Sequence, residues 1–388
     1  MNEAHYVDLS FHSLKKYGEE LCGDKVEVVK SENRTIAVLA DGLGSGVKAN
    51  ILATLTSKIM ITMLDKGATL QDTIDTITNT LPVCQVRKIA YSTFTIIDID
   101  QELNCKIIEF DNPPAFILRK HQIINLDKKP LYSSDKKVLV SEIKLQIGDE
   151  IIIVSDGVIH AGVGKFLNHG WEWRHVAEYI ENQNLKSADK LNRRLIEVCH
   201  KLYDDMPGDD TTAIAVKIRL PEKIQLLTGP PVDSTSDKKV VDDFIKKQGK
   251  KVVCGGTAAN IVSRELKREI LTDIKYLDPK IPPIAKIRGI DLVTEGVLTL
   301  KMVLDELKRI NNSSTEPNLE KEDGVSKLLK LLIEDSTHIN IYLGHAINPA
   351  HQNPNFPIEL SIKVKIVEDI VEQLRIMGKI VTLTDTDR

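Results

Sequence analysis

Apolar residues come in short blocks rather than long stripes over the first half of the chain. Runs at 26–29, 35–40, 92–99, 106–110, 115–119, 138–145, 150–155 and 211–218 are rich in β-branched residues and separated by turn formers, which predicts strands. After the second run the period changes. Ile51, Leu52, Leu55, Ile59 and Met63 recur at helical spacing over 47–66, and a second helix is expected over 69–80. Another pair is expected over 171–183 and 187–203, with Trp171 and Trp173 anchoring the first of them. Clustered short strands with paired helices predict an α+β fold over residues 1–220, a two-sheet β-sandwich flanked by helices.

Near Leu220-Pro221 the pattern becomes an alternation. Strands are expected at 224–227, 251–254, 290–293, 338–343 and 379–384, and helices at 238–247, 257–270, 299–309 and 362–377. This predicts a smaller α/β domain over 221–388, with the polar stretch 311–324 as an exposed loop. A chain of 388 residues is long enough for two such cores.

The net charge of −4 and pI near 6.2 come from balanced charges without a basic block, so nucleic acid is not the expected partner. No stretch matches the roughly 18 uncharged apolar residues of a membrane span, and Met1–His5 does not open a signal sequence. A soluble, cytoplasmic protein without a membrane partner is expected. Cys22, Cys84, Cys105, Cys199 and Cys254 are odd in number and never spaced Cys-x-x-Cys, which suits free thiols.

Against this background three acidic turns carry the chemistry: Ala40-Asp41-Gly42-Leu43-Gly44-Ser45-Gly46, Ser155-Asp156-Gly157-Val158 and Gly208-Asp209-Asp210-Thr211-Thr212. Each places a carboxylate where an apolar strand meets a turn. One Asp-Gly is an ordinary turn. Three of them suit hard divalent cations, which prefer oxygen ligands. If one carboxylate bridges, Asp41, Asp156 and Asp209 can hold two ions about 3.5–4 Å apart, the arrangement that activates water against a phosphate ester.

Together with Tyr91-Ser-Thr-Phe-Thr95 and Asn112-Pro-Pro-Ala-Phe116, these segments resemble, in order, the metal-dependent protein phosphatases (PPM) in their bacterial stage II sporulation protein E-type branch. The resemblance covers residues 18–219. It implies that Asp41 bridges two Mn²⁺ or Mg²⁺ ions, that the Gly42 carbonyl binds one, and that Asp156 and Asp209 complete the site. Asp24, in Gly23-Asp24, and Asp210 take supporting roles. Leu43 stands where the eukaryotic branch has a His, so the leaving-group acid is unidentified, and no phosphate-binding Arg is evident; Lys25 and Arg34 are only nearby cations. The implied activity is hydrolysis of phosphoserine or phosphothreonine by metal-activated water. The implied substrate is a phosphorylated bacterial regulatory protein such as an anti-sigma factor antagonist. The helices over 47–80 resemble switch helices through which a dimer partner or the second domain would regulate the site.

The other reading is a weakly catalytic signalling module whose second domain binds a nucleotide or metabolite. Gly255-Gly256-Thr257 after one strand and Thr228-Gly229-Pro230-Pro231 after another would then share the ligand-binding rim of a parallel sheet, with Glu295 nearby. Metal binding by His345 and His351 and a Cys199-His200 dyad are disfavoured, because turn formers account for the former and adjacent helical residues diverge.

Overall fold

The segment Ile36-Ala37-Val38-Leu39-Ala40 is apolar at every position because both faces of its strand are buried. The computed structural model describes residues 5–31, 33–80, 92–133, 136–272, 282–313, 316–346 and 362–387, so Cys84, Tyr91 and His351 lie outside the described residues. The chain divides into two units, His5–Arg219 and the residues from Leu220 onward.

The strands of the first unit are β1 (Tyr6–Leu14), β2 (Asp24–Lys30), β3 (Arg34–Gly42), β4 (Ser92–Asp100), β5 (Asn104–Phe110), β6 (Phe116–Arg119), β7 (Gln122–Ile123), β8 (Lys129–Ser133), β9 (Lys136–Lys144), β10 (Glu150–Val154) and β11 (Thr211–Arg219). Its helices are α1 (Gly46–Asp65), α2 (Leu70–Thr80), α3 (Asp156–Ile159), α4 (Trp173–Glu181) and α5 (Ala188–Leu202). One sheet runs β2-β3-β4-β5-β9-β8 and the other β1-β11-β10-β6-β7, with antiparallel pairing throughout.

Alternation along the strands divides the core into three layers. Ala37, Leu39, Ile97 and Ile99 meet Ile151, Ile153, Ile214 and Val216 between the sheets. The opposite parity of the first sheet, including Ile36, Val38 and Ile96, packs beneath α1 and α2. Ile152, Val154, Ala213 and Ala215 pack against α4 and α5. The result is the expected α+β sandwich with helices on both outer faces. Trp171 is buried in this last layer, while Trp173 stacks on Phe116 at 4.8 Å and donates from Nε1 to the Pro114 carbonyl at 2.8 Å.

Some elements depart from the sequence expectation. β1 lies before the strand-rich region and pairs with β11 along its whole length. Among the described residues, α1 is long and apolar enough to cross a membrane; here Ala49, Ala53, Met60, Ile61 and Leu64 are buried, the last four of them or their neighbours against β3. Cys22, Cys105, Cys199 and Cys254 are free thiols.

The second unit holds β12 (Lys223–Thr228), α6 (Asp237–Lys246), β13 (Lys250–Cys254), α7 (Gly256–Leu266), β14 (Ile270–Thr272), β15 (Ala285–Ile287), β16 (Leu292–Thr294), α8 (Val297–Asn311), α9 (Gly324–Ile333), β17 (His338–Leu343), α10 (Ile362–Ile376) and β18 (Ile380–Asp385). Its sheet runs β14-β15-β16-β13-β12-β17-β18. The five strands from β16 to β18 are parallel, as α/β alternation predicts, and β14 and β15 add an antiparallel edge. The helix expected over 257–270 stops at Leu266, because Lys267 turns into the left-handed region at φ 53° and Ile270 opens β14. α9 was not expected; Asp323 caps it by accepting from the Ser326 amide at 2.8 Å.

Candidate metal centre at the end of the sandwich

Rows of side chains that fill the space between two sheets end together, and here their ends are polar. The inter-sheet row Ala37, Leu39 continues on β3 to Asp41, and Val28, Val26 on β2 continues to Asp24. On the facing sheet Ile151, Ile153 continues to Ser155, and Val216, Ile214 continues to Thr212 and then Asp210. Asp24 and Asp41 are cross-strand partners, and Asp41 pairs on its other side with Thr93. Asp156 opens α3 directly after β10, and Asp209 precedes β11.

Ser155 ties the sheets together at this end. Its Oγ donates to Asp24 Oδ2 at 2.7 Å and accepts from the Thr212 amide at 2.9 Å, while its own amide donates to the Thr212 carbonyl at 2.9 Å. Asp210 Oδ1 accepts from the Lys16 amide at 3.0 Å, and Asp209 Oδ1 accepts from the Asp210 amide at 3.0 Å. Two oxygens, Asp24 Oδ1 and Asp210 Oδ2, are buried without a hydrogen-bond partner. Such groups are costly unless a donor or cation completes them.

The electrostatics agree. Burial, followed by the charges of Asp24, Asp156, Asp209 and Asp210, raises the Asp41 carboxyl to about 9. Burial raises Asp24 to about 7, against the stabilising hydrogen bonds of Ser155 and Thr212. Asp209 is raised by burial and then by Asp156, with the Asp210 amide and the charge of Lys16 opposing. Asp24, Asp41 and Asp209 are thus held back from ionising, a penalty that cations among the carboxylates would remove. The residues therefore fit a divalent metal centre.

Glycines let the backbone close around the cluster. A Cβ on Gly42 would lie 2.0 Å from the Ala49 carbonyl oxygen of α1, and one on Gly157 would lie 2.1 Å from the Asp210 carbonyl oxygen. The start of α1 is tied to the loop before Asp24: Ser45 Oγ donates to Glu19 Oε1 at 2.7 Å, and Asn50 Nδ2 donates to the Cys22 carbonyl at 2.8 Å.

Sequence reasoning singled out Asp24, Asp41, Asp156, Asp209 and Asp210, and the fold brings all five to one end. It missed Ser155, whose neighbour Asp156 was the only local signal, and Lys16, which has none. Arg34 lies at the far end of β3, held by Asp98 at 2.6 and 2.7 Å. Among the described residues, the potential ligand atoms that lie within 4.8 Å of one another belong to His345, Asp385 and Asp387 of the second unit. Those carboxylates already accept from the amides of Val232 at 2.5 Å, His345 at 3.0 Å and Asp387 at 2.9 Å, as in a closed turn. Asp41, Asp156 and Asp209 do not share that spacing.

At the carboxyl edge of the second sheet the part of the anticipated ligand rim after β12 and β17 is closed by the chain itself, whereas the space around Gly256 after β13 is open. A Cβ on Gly344 would lie 2.2 Å from the Pro230 carbonyl oxygen, Lys363 Nζ donates to the Gly344 carbonyl, and Glu295 Oε2 accepts from the Leu298 amide of α8 at 3.1 Å.

The first unit is similar to known proteins. Residues 31–219 match the family model "Stage II sporulation protein E (SpoIIE)". Stage II sporulation protein E of Bacillus subtilis (strain 168) is 26% identical over 231 residues, which cover 55% of this chain and 27% of that protein; the matched region is thus about a quarter of the relative's length. Among solved structures, the PP2C phosphatase domain of SpoIIE from Bacillus subtilis with a fragment of its regulatory domain aligns at 23% identity and a TM-score of 0.49, covering 56% of this chain and 63% of that one. The RsbU and RsbW domains of Rv1364c from Mycobacterium tuberculosis align at 17% identity and a TM-score of 0.47, covering 61% and 66%. Most of the two-sheet sandwich, with Asp41, Asp156, Asp209 and Asp210 at its end, lies in the region that the family model matches. Residues 31–219, just under half of the chain, thus carry the match to the stage II sporulation protein E family model.

Proposed function

We propose that the first unit is a metal-dependent serine/threonine protein phosphatase. The observation that carries this reading is the pair of buried, partnerless oxygens, Asp24 Oδ1 and Asp210 Oδ2, beside three further carboxylates. In this proposal Asp41, the Gly42 carbonyl, Asp156 and Asp209 would hold two Mn²⁺ or Mg²⁺ ions. Asp24 and Asp210 hold the surrounding water through their open oxygens. Two divalent ions there would supply Lewis acidity toward water and the phosphoryl oxygens.

The remaining work falls to the chain. Ser155 fixes the Asp24 carboxylate by its 2.7 Å hydrogen bond, and Gly42 allows α1 to sit over the turn. Leu43 has no proton to give, so water protonates the departing serine oxygen. Lys16, whose main chain is bound to Asp210 and whose charge acts on Asp209, attracts the phosphate dianion. The family match supports a phosphorylated bacterial regulatory protein as substrate, of the anti-sigma factor antagonist kind. The attachment of α1 to the site supports regulation by a homodimer partner or by the second unit.

The test is hydrolysis of a phosphoserine peptide by the full chain with Mn²⁺, with chelator, and by Asp41→Asn. Metal-dependent turnover that the substitution reduces about a thousandfold, a loss of several kcal/mol of transition-state stabilisation, is the expected result. No turnover under any metal condition would leave a non-catalytic signalling module instead.

A further inference from the structure

Strands buried within parallel sheets are ordinarily apolar on both faces, and two strands of the second unit break that rule on one side. The register aligns Gln225 of β12 with Asn340 of β17 and Thr382 of β18; two residues on, Leu227, Tyr342 and Thr384 align. The opposite parity, Ile224, Leu226, Ile339, Ile341 and Val381, belongs to the apolar core shared with α8, α9 and α10. On the polar side, the core shared with α6 and α7 takes in Leu227 and Tyr342. Beside it the polar positions floor a groove of about 450 Å³, within the range of about 300–1,000 Å³ of small-molecule sites.

The hydrogen bonds along this floor run in one direction. Thr384 Oγ1 donates to Asn340 Oδ1 at 2.8 Å, Asn340 Nδ2 donates to Gln225 Oε1 at 3.1 Å, and Gln225 Nε2 donates to the Gln248 carbonyl at 2.9 Å. Each carboxamide nitrogen carries two hydrogens; Gln225 uses one in this ladder and keeps a donor, while Asn340 uses one in the ladder and also hydrogen-bonds the Tyr342 hydroxyl. Lys247, at the end of α6, forms part of the wall together with Gln248. Asp243 shares its charge at 3.5 Å from the adjoining turn, but no Asp or Glu is among the residues described as lining the groove. A remaining Gln225 donor, Lys223 and Lys247 in the lining and no lining carboxylate select against cations and favour an acceptor-rich anion.

We infer that this groove is a binding site for a phosphorylated small molecule of about nucleotide size, seated on Gln225, Asn340 and Thr384 with its phosphate toward Lys247. The inference is independent of the phosphatase reading. It also puts ligand binding away from the carboxyl edge, where Gly344, Pro230 and Lys363 already meet.

Isothermal titration of the full chain with AMP, GMP and glucose 6-phosphate, with inorganic phosphate as the fragment control, tests the site. At least one organic phosphate is expected to bind, with inorganic phosphate at least about tenfold weaker. Lys247→Glu, at a half-exposed position where folding should persist, and Asn340→Leu are each expected to weaken binding about tenfold or more. Lys239→Glu, on the same helix and outside the groove, is expected to change nothing. The inference is overturned if none of the organic phosphates binds at millimolar concentration, if inorganic phosphate binds equally well, or if Lys247→Glu binds like the parent while its thermal unfolding is unchanged.

Discussion

Asp24 and Asp41 stand opposite each other in the β2–β3 register, a buried and a half-buried carboxyl at the end of one apolar layer. Antiparallel partners of like charge destabilise a sheet, and no described cation pairs with either side chain. Their proximity is a cost of the fold that a divalent ion would remove.

The metal-free protein should therefore lose stability as the pH rises. In the unfolded chain both groups ionise near 3.8; in the folded chain the values are about 7 for Asp24 and about 9 for Asp41. The folded state binds more protons between these limits, so the contribution present below pH 3.8 is lost progressively as pH rises through 7 and 9. Thermal unfolding with chelator and with Mn²⁺ across this range should show a metal-induced rise in Tm that grows with pH. A metal effect independent of pH would contradict the proposed ligands.

Ser155→Ala removes the donor to Asp24 and leaves the Thr212 amide without its acceptor. Loss of about 1–3 kcal/mol is expected in urea unfolding, together with weaker Mn²⁺ binding by titration. Unchanged stability would mean that water replaces the hydroxyl.

Gly42→Ala would drive a methyl group into the Ala49 carbonyl, 2.0 Å away on the first turns of α1. The helix must shift, and metal affinity should fall even where circular dichroism reports a folded chain. If Mn²⁺ affinity and phosphopeptide turnover both persist, α1 does not control the site.

For Lys16→Ala the expected signature is an increase in KM of about tenfold with a smaller change in kcat, reversed in large part by Lys16→Arg. An equal loss of kcat in both variants would instead mark Lys16 as a support for the Asp210 loop, through its 3.0 Å main-chain hydrogen bond.

Much of the fold was legible because its signals are local. The uninterrupted apolar run 36–40 marked a strand buried on both faces, and the Asp-Gly turns marked where such strands stop. β1 was harder to read: Tyr6–Leu14 mixes Asp8, Ser10, His12 and Ser13 with its apolar residues, and its place depends on distant β11. α9 carried a usable signal, Asp323 ahead of Val325, Leu328, Leu329 and Leu332, but it follows directly on a polar loop. Gln225 and Asn340 look unrelated along the chain, being 115 residues apart, and become a ladder only through parallel register.

The amino-acid sequence by itself determined the sandwich class, the α/β alternation that follows it, and the identity of the acidic turns, because periodicity and turn chemistry act over a few residues. Tertiary structure decided what those turns amount to. It put Asp24 across from Asp41, bridged two sheets through Ser155, brought Lys16 to Asp210 over 194 positions of chain, and moved Arg34 to the wrong end of its strand to serve the phosphate. Proton affinity and Coulomb energy depend on distance in space and on burial, and neither quantity exists until the sheets have closed.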